Sequence, residues 1–312
     1  MRRFLQFSFG LLLALGAFEA EAVAATTVAT ESAVSLRNEA DARILESILN
    51  DQAALFSRLQ SDPETRRLPD AEKERRVREI AQRYETLLRT RPNEAAVMIL
   101  YGKFLRLIDD RAGANVWFEK ADKLMPDCAL IKHQLGAYAA EEGRYAVAFK
   151  LLEKAVELES KTAIYHYHLG EFLSVYQPHI TGDRLLTRRE CDAKMQAAFE
   201  RASVLNPAEM GYLWRFAESF FDCEKPDWMR ALAVWDSVAR KASSPLEREM
   251  ASLYRARVLI RLGRRVEAER IVGASKSPKL EVSRVKLREL LKAEAAAAKG
   301  AVGGRAGENK QK

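Results

Sequence analysis

Residues 129–160 read ALIKHQLGAYAAEEGRYAVAFKLLEKAVELES, and the pattern of this stretch recurs along the chain at an interval of 34 residues. Its glycine, Gly136, has counterparts at Gly102 and Gly170, and each follows a leucine or a tyrosine. The second half repeats as well: Ala114, Phe118 and Ala121 recur as Ala148, Leu152 and Ala155, and Pro92 recurs as Pro126. Self-similarity at one fixed period indicates a repeat architecture rather than a single globular core.

This pattern resembles the tetratricopeptide repeat, in which Leu-Gly is followed by Ala-x3-Phe-x2-Ala and then by Pro. The resemblance covers about residues 93–275. It implies an all-α fold, a right-handed superhelical solenoid of antiparallel helix pairs with about five repeats plus flanking helices. One helix pair cannot bury its apolar face alone, so neighbouring pairs stack and leave a concave groove.

The repeat is clearest in residues 95–126 and 129–160, and it degrades outward. A third unit begins at Ala163, but its second helix carries Phe199 and lies 13 residues later than the period requires. We therefore predict an insertion at 175–189, in the turn between the two helices of this unit. A fourth unit fits Trp214, Ala217, Phe221, Ala231, Trp235 and Val238, and a fifth runs from Glu249 to Ser275 with Arg255 where a leucine is usual.

The N-terminus is typical of a secretory signal peptide, which we place at residues 1–24. Arg2 and Arg3 precede an apolar run over 4–18, and two A-x-A cleavage patterns follow, at 20–22 and 22–24. An uncleaved anchor is the alternative, but the run is shorter than the ~20 residues that span a bilayer. We expect a periplasmic or secreted protein.

The remaining flanking segments complete the predicted organisation. We expect a linker at 25–35, an N-terminal helical pair at 36–92 that is a possible diverged repeat, a capping helix at 278–298 and a disordered tail at 299–312. Glycine and charge dominate this tail, and such a composition disfavours a packed structure.

The formal net charge is +7. In a cytosolic protein this excess would favour nucleic-acid binding, but the signal peptide conflicts with that function. Outside the cytoplasm, acidic proteins, anionic lipids or cell-wall polymers are the more natural partners.

The sequence contains no pattern typical of an enzyme active site or a metal site. The P-loop, H-E-x-x-H and G-x-S-x-G motifs are absent. His166 and His168 are two residues apart, which on a helix directs them about 200° from each other and away from any shared metal ion. We therefore predict no catalytic residues, no metal and no cofactor.

Three cysteines give an odd count for an exported chain. In the repeat arrangement that the resemblance implies, Cys191 and Cys223 fall at the same edge of adjacent units and Cys128 falls at the opposite edge. A Cys191–Cys223 disulfide is one hypothesis, and three free thiols are the other.

The resemblance also implies where a partner would bind. The first helix of each unit lines the groove, and projecting that face onto this chain gives Lys103, Arg106, His133, Tyr167, Glu171, Arg215, Ser219 and Arg257. The set is net basic, which suits an acidic peptide or a peptide C-terminus, although an ordinary solvated groove is the alternative. The insertion adds Tyr176, His179 and Ile180, which are unusual residues to leave exposed.

Two function classes follow. The first is an exported scaffold, in a bacterial envelope, that binds a peptide or protein partner through its groove. The second is a cell-envelope enzyme or accessory factor that acts on cell-wall polymer. The sequence favours the first and leaves the partner and the oligomeric state open.

Overall fold

Helices form the secondary structure of the computed structural model, which describes residues 39–61 and 70–308. Within these ranges the fold is all-α, as the resemblance implied, and the helices follow one another as sequential antiparallel pairs. They are α1 (Glu39–Ser61), α2 (Asp70–Thr90), α3 (Ala95–Leu107), α4 (Arg111–Leu124), α5 (Ala129–Glu141), α6 (Tyr145–Leu158), α7 (Ala163–Val175), α8 (Gln177–Gly182), α9 (Arg188–Leu205), α10 (Met210–Ser219), α11 (Trp228–Lys241), α12 (Pro245–Arg261), α13 (Arg265–Ala274) and α14 (Glu281–Glu308).

The chain divides into two compact units, each larger than a single repeat. The boundary lies within α7: the first unit ends at Leu169 and the second unit begins at Gly170. The predicted signal peptide, 1–24, and linker, 25–35, lie outside the described residues. None of the described helices is both long enough and apolar enough to cross a membrane.

The core of the first unit joins α1 and α2 to the first clear repeat. Leu45 of α1, Tyr84 of α2 and Phe104 of α3 are fully buried in one apolar cluster. The ring of Tyr84 stacks on that of Tyr101 with centroids 5.2 Å apart, and its hydroxyl donates to Gln52 Oε1 at 2.9 Å. The N-terminal helices therefore share a core with the repeats.

Close contact between the two helices of a repeat depends on a glycine in the first helix. This contact recurs in three successive repeats: Gly102 against Phe118, Gly136 against Leu152 and Gly170 against Phe199. A Cβ on Gly102 would lie 3.0 Å from the Phe118 ring, and one on Gly170 would lie 2.7 Å from the Phe199 ring. Both separations are shorter than ordinary carbon–carbon contacts of ~3.5–4 Å, so only glycine lets the helices approach this closely.

The turns between paired helices depend on a left-handed backbone conformation. Asp109 has φ 64° and Gly143 has φ 74°, at equivalent positions one repeat apart, and Gly263 repeats the geometry with φ 74°. Glycine adopts positive φ without a Cβ clash, and aspartate tolerates it better than most residues.

In the second unit, the segment where we predicted the insertion contains the short helix α8. Ile180 of α8 is fully buried. The next helix, α9, begins with a capping box in which the Thr187 side chain accepts from the Glu190 amide and the Glu190 carboxylate accepts from the Thr187 amide. This cap fixes where the second helix of the third repeat begins.

At the C-terminus a 3₁₀ turn, Pro278–Leu280, precedes α14, which extends from Glu281 to Glu308. The predicted capping helix, 278–298, falls on these two elements. The alanine run 295–298 lies within α14 and favours a helix, because alanine has the highest helix propensity.

The glycine contacts predict a graded response to the change of glycine to alanine. We expect Gly170→Ala to lower the free energy of unfolding by about 1–3 kcal/mol, because the added methyl group must displace the Phe199 ring. Gly102→Ala should cost less, since its contact is longer. Gly182→Ala, where nothing lies within 4 Å, is the matched control and should be neutral or slightly stabilising. Thermal unfolding followed by circular dichroism measures all three, and equal melting points for Gly170→Ala and Gly182→Ala would contradict the packing argument.

Candidate functional site

In the first unit, side chains from successive first helices meet on one continuous face. Arg106 of α3 donates two hydrogen bonds to the carboxylate of Glu141 of α5, each 3.0 Å long. Arg111 lies 3.5 Å from the same carboxylate. The two members of the Arg106–Glu141 pair are 35 residues apart, which is one repeat plus one residue. Equivalent faces of neighbouring repeats are therefore in direct contact.

A histidine pair continues this face between α5 and α7. Nε2 of His133 lies 2.6 Å from Nδ1 of His168, again at an offset of 35 residues, and the two rings stack with centroids 4.7 Å apart. One of these nitrogens must carry a proton and the other must be bare, so the pair shares a single hydrogen. Nδ1 of His133 is buried and has no hydrogen-bond partner among the described residues, whichever tautomer is present.

The charge around His133 is positive. Burial lowers the pKa of His133 well below its ordinary value, and the nearby His168, Lys103 and Arg106 lower it further. His133 is therefore neutral at pH 7. Lys103, Arg106, His133 and His168 together form what we call the basic face of the first unit.

Tyr167, which we predicted to be a groove residue, is buried, and its ring lies against that of His168 with centroids 5.7 Å apart. Tyr167 therefore packs against a residue of the basic face and presents little surface to a partner.

In the second unit, Arg215 differs most from its predicted role. Its side chain is only 8% exposed and donates to Glu171 Oε1 at 2.5 Å, to Asp222 Oδ2 at 3.2 Å and to Ser174 Oγ at 2.6 Å. Its guanidinium also lies over the ring of Phe199, 4.4 Å from the centroid. Arg215 and Glu171 thus satisfy each other inside the unit and are not offered to a partner.

Ser219, another predicted groove residue, is fully buried and donates to the Phe216 carbonyl at 2.6 Å. Arg257, in contrast, is half-buried, and its guanidinium lies over the ring of Phe221, 4.1 Å from the centroid. Of the predicted groove residues in the second unit, Arg257 is thus the cation that remains at the surface.

The insertion is a packed element. Tyr176 is half-buried, with its ring 5.4 Å from that of Phe172, and His179 is exposed. Ile180, which we expected to be exposed, is fully buried because α8 folds back onto the unit. Arg188 fastens the segment by donating to Gln177 Oε1 at 2.5 Å and to the Asp222 carbonyl.

The structure contains no Cys191–Cys223 disulfide, since all three cysteines are free thiols. The buried Cys191 Sγ lies 3.7 Å from the Leu173 carbonyl, and Cys223 Sγ lies 3.4 Å from the Ser219 carbonyl. Burial raises the pKa of Cys191 to about 11 and that of Cys223 to about 12. Both groups are therefore protonated thiols at neutral pH. Cys191 donates to a carbonyl of α7, and Cys223 donates to a carbonyl of α10.

Within residues 39–61 and 70–308, no group of three or more histidine, cysteine, aspartate or glutamate side chains is arranged to hold a metal ion.

Comparison with known proteins places the fold. No family model matches the sequence, and no curated protein does either. Among solved structures, YrrB, described as a TPR protein with an unusual peptide-binding site, is 15% identical with a TM-score of 0.50, over 70% of this chain and 99% of its own. This chain has a tetratricopeptide-repeat fold.

Two further solved structures are similar with lower TM-scores. PilF of Pseudomonas aeruginosa is 15% identical with a TM-score of 0.49, over 81% of this chain and 98% of its own. PilW, described as a widely conserved type IV pilus biogenesis factor, is 12% identical with a TM-score of 0.48, over 76% of this chain and 93% of its own.

Sequence reasoning missed two members of the first unit's face, His168 and Glu141. His168 was weighed only against His166 on its own helix, although the contact that matters crosses to the neighbouring helix. Both residues could have been found by looking 35 residues beyond each predicted groove residue, because this separation in sequence pairs Arg106 with Glu141 and His133 with His168.

The buried histidine predicts that stability depends on pH. Since the pKa of folded His133 lies below its ordinary value of 6.5, the unfolded chain binds more protons than the folded chain once the pH falls below 6.5. Stability is thus fully present above pH 6.5 and is lost as the pH falls, by at most about 1.4 kcal/mol per pH unit for one proton.

We expect His133→Phe, which keeps an aromatic ring in the stack, to flatten this pH dependence. His179→Gln removes an exposed histidine of the second unit and should leave it unchanged. Thermal unfolding between pH 5 and pH 8 compares the three proteins, and a full wild-type slope in His133→Phe would show that another group is responsible.

Proposed function

We propose that this protein is an exported scaffold that binds an acidic peptide or protein segment on the basic face of its first unit. The observation that carries the proposal is the placement of two cationic side chains, Lys103 and Arg106, near the buried ring of His133. These cations would attract a ligand that brings negative charge to this face and would repel a cationic one.

The ion pairs on this face are of a kind that a partner can rearrange. The Arg106 side chain is 27% exposed and the Glu141 side chain 29% exposed, so solvent reaches both. Exposed ion pairs contribute about 0–1 kcal/mol, and exchanging Glu141 for a partner's carboxylate would therefore cost little. The same exposure makes the binding sensitive to salt.

Two further considerations support the choice of a peptide ligand and of export. YrrB, which shares the fold, is described as having a peptide-binding site, and this supports the ligand class by fold-level analogy only. Export is supported by the sequence of residues 1–24, with two arginines before an apolar run and small residues after it.

A charge-reversal pair tests the binding surface. We expect Lys103→Glu/Arg106→Glu to reduce crosslinked capture of the partner from the native envelope by about tenfold or more, because charge complementarity at the face is inverted. The matched control is Lys150→Glu/Lys154→Glu, which makes the same charge change at exposed positions of α6. Quantitative mass spectrometry of the captured proteins at low and moderate salt gives the comparison.

Equal capture by the two double variants would remove the basic face as the binding surface, provided that their melting points match. Export has a separate test, cell fractionation with N-terminal sequencing of the isolated protein. We expect a chain that begins after residue 22 or 24, and an uncleaved chain in the cytoplasm would contradict export.

A further inference from the structure

Arg257 differs from the other buried and half-buried arginines described in the second unit. The others lie beside carboxylates: Arg188 beside Asp192, Arg215 beside Glu171 and Asp222, Arg255 beside Asp236, Arg265 beside Glu269, and Arg284 beside Glu249 and Glu281. Arg257, in α12, has no carboxylate at ion-pair distance within the described part of the chain, although it is half-buried. A partly dehydrated guanidinium without a counter-ion is costly, so this exception calls for a physical reason.

The acidic groups nearest to Arg257 are engaged elsewhere. Asp222 Oδ2 accepts from Arg215 Nη1 at 3.2 Å and lies 3.4 Å from Ser174 Oγ. Glu218 Oε1 accepts from Trp214 Nε1 at 3.2 Å and from the Tyr254 hydroxyl at 3.3 Å. Burial also raises the pKa of Glu218. Neither group therefore forms an ion pair with Arg257.

Burial is the largest influence on the guanidinium of Arg257 and lowers its pKa from the ordinary value. Tyr254 opposes this shift, Arg261 adds to it, and Asp222 and Glu218 oppose it. Arg261 lies 3.8 Å from Glu294. Within the described residues, Arg257 is thus a half-buried cation without a carboxylate at ion-pair distance.

The guanidinium of Arg257 is nevertheless held in place. It lies over the ring of Phe221, 4.1 Å from the centroid, and such a cation–π contact orients the planar group and offsets part of its dehydration. Phe221 is itself fixed by Tyr254, at 6.1 Å between centroids, and Tyr254 stacks on Trp235 at 4.4 Å. An oriented guanidinium on a rigid aromatic platform can donate two parallel hydrogen bonds to one carboxylate.

We propose that Arg257, on its Phe221 platform, is a binding site for a carboxylate of the partner. The site lies in the second unit and involves none of the basic-face residues of the first. This proposal rests on the proposed function, because the carboxylate belongs to the same partner that the basic face would bind. Two sources can supply the group, an aspartate or glutamate side chain or the C-terminus of the partner chain.

Small probes test the site directly and without the partner. The ¹⁵N-labelled protein is titrated, at constant ionic strength, with N-acetylglutamate α-amide for a side-chain carboxylate and with N-acetylglycylalanine for a chain terminus. N-acetylglutamine α-amide is the neutral control. We expect a saturable shift of the Arg257 Nε–Hε resonance with at least one of the two acids and none with the amide, and the stronger acid identifies the source.

Variants separate the site from general charge. Arg257→Gln should weaken probe binding by about tenfold or more, because it removes the charge-assisted hydrogen bonds. Arg257→Lys keeps the charge but lacks the planar fork, and Phe221→Leu removes the platform, so both should weaken binding to a lesser degree. Arg270→Gln, at an exposed position of α13, is the matched control for the lost charge and should bind like the wild type.

The proposal is overturned if neither acid gives a saturable shift, or if Arg257→Gln and Arg270→Gln bind alike. Its failure is distinguishable from that of the proposed function. If the acids bind at Arg257 but the charge reversal in the first unit does not reduce capture, the Arg257 site stands and the basic face is not the binding surface. If the charge reversal reduces capture but neither acid binds at Arg257, the basic face stands and the Arg257 site does not.

Discussion

The close approach of a first-helix glycine to a large apolar side chain of the second helix sets the geometry on which the other contacts depend. Phe118 follows Gly102 by 16 residues, whereas Phe199 follows Gly170 by 29, and yet both rings press against the glycine. The contact is therefore kept when the connection between the helices is longer. Since the helices meet without an intervening Cβ, small shifts cannot be absorbed, and the two helices of a repeat are held in fixed register.

In the first unit, charged and polar groups pair across neighbouring first helices at an offset of 35 residues, as Arg106 does with Glu141 and His133 with His168. Where a pair is complementary, as for Arg106 and Glu141, the charge is balanced on the face itself. Where it is not, a group is left incompletely satisfied, as for Nδ1 of His133. Leaving such a buried atom without a partner costs about 1–3 kcal/mol.

The second unit handles its charges in two ways. Arg215 is enclosed, with partners on several sides, so its role is to hold α7, α10 and the residues after α10 together. Removing one partner of a buried ion pair typically costs about 3–5 kcal/mol. Arg257 lies over the ring of Phe221 and has no carboxylate at ion-pair distance within the described residues. The insertion, like Arg215, is part of the packed structure of the second unit, because Ile180 is buried and Arg188 donates to Gln177.

The sequence alone determined the all-helical repeat, because the spacing of Gly, Ala and large apolar residues is a local property that each helix pair repeats. It also indicated a longer connection in the third repeat, at 175–189, and a first-helix face that includes Lys103, Arg106 and His133. Only the tertiary structure decided what those residues do. Composition cannot tell an enclosed Arg215 from a surface Arg257, because both are arginines on a predicted groove face and their difference lies in residues far away in sequence. The structure has free thiols at Cys191 and Cys223, which is the second of the two hypotheses, and it buries Ile180, which we expected to be exposed. Burial and partner choice depend on how neighbouring helices meet, and spacing along one helix does not specify this.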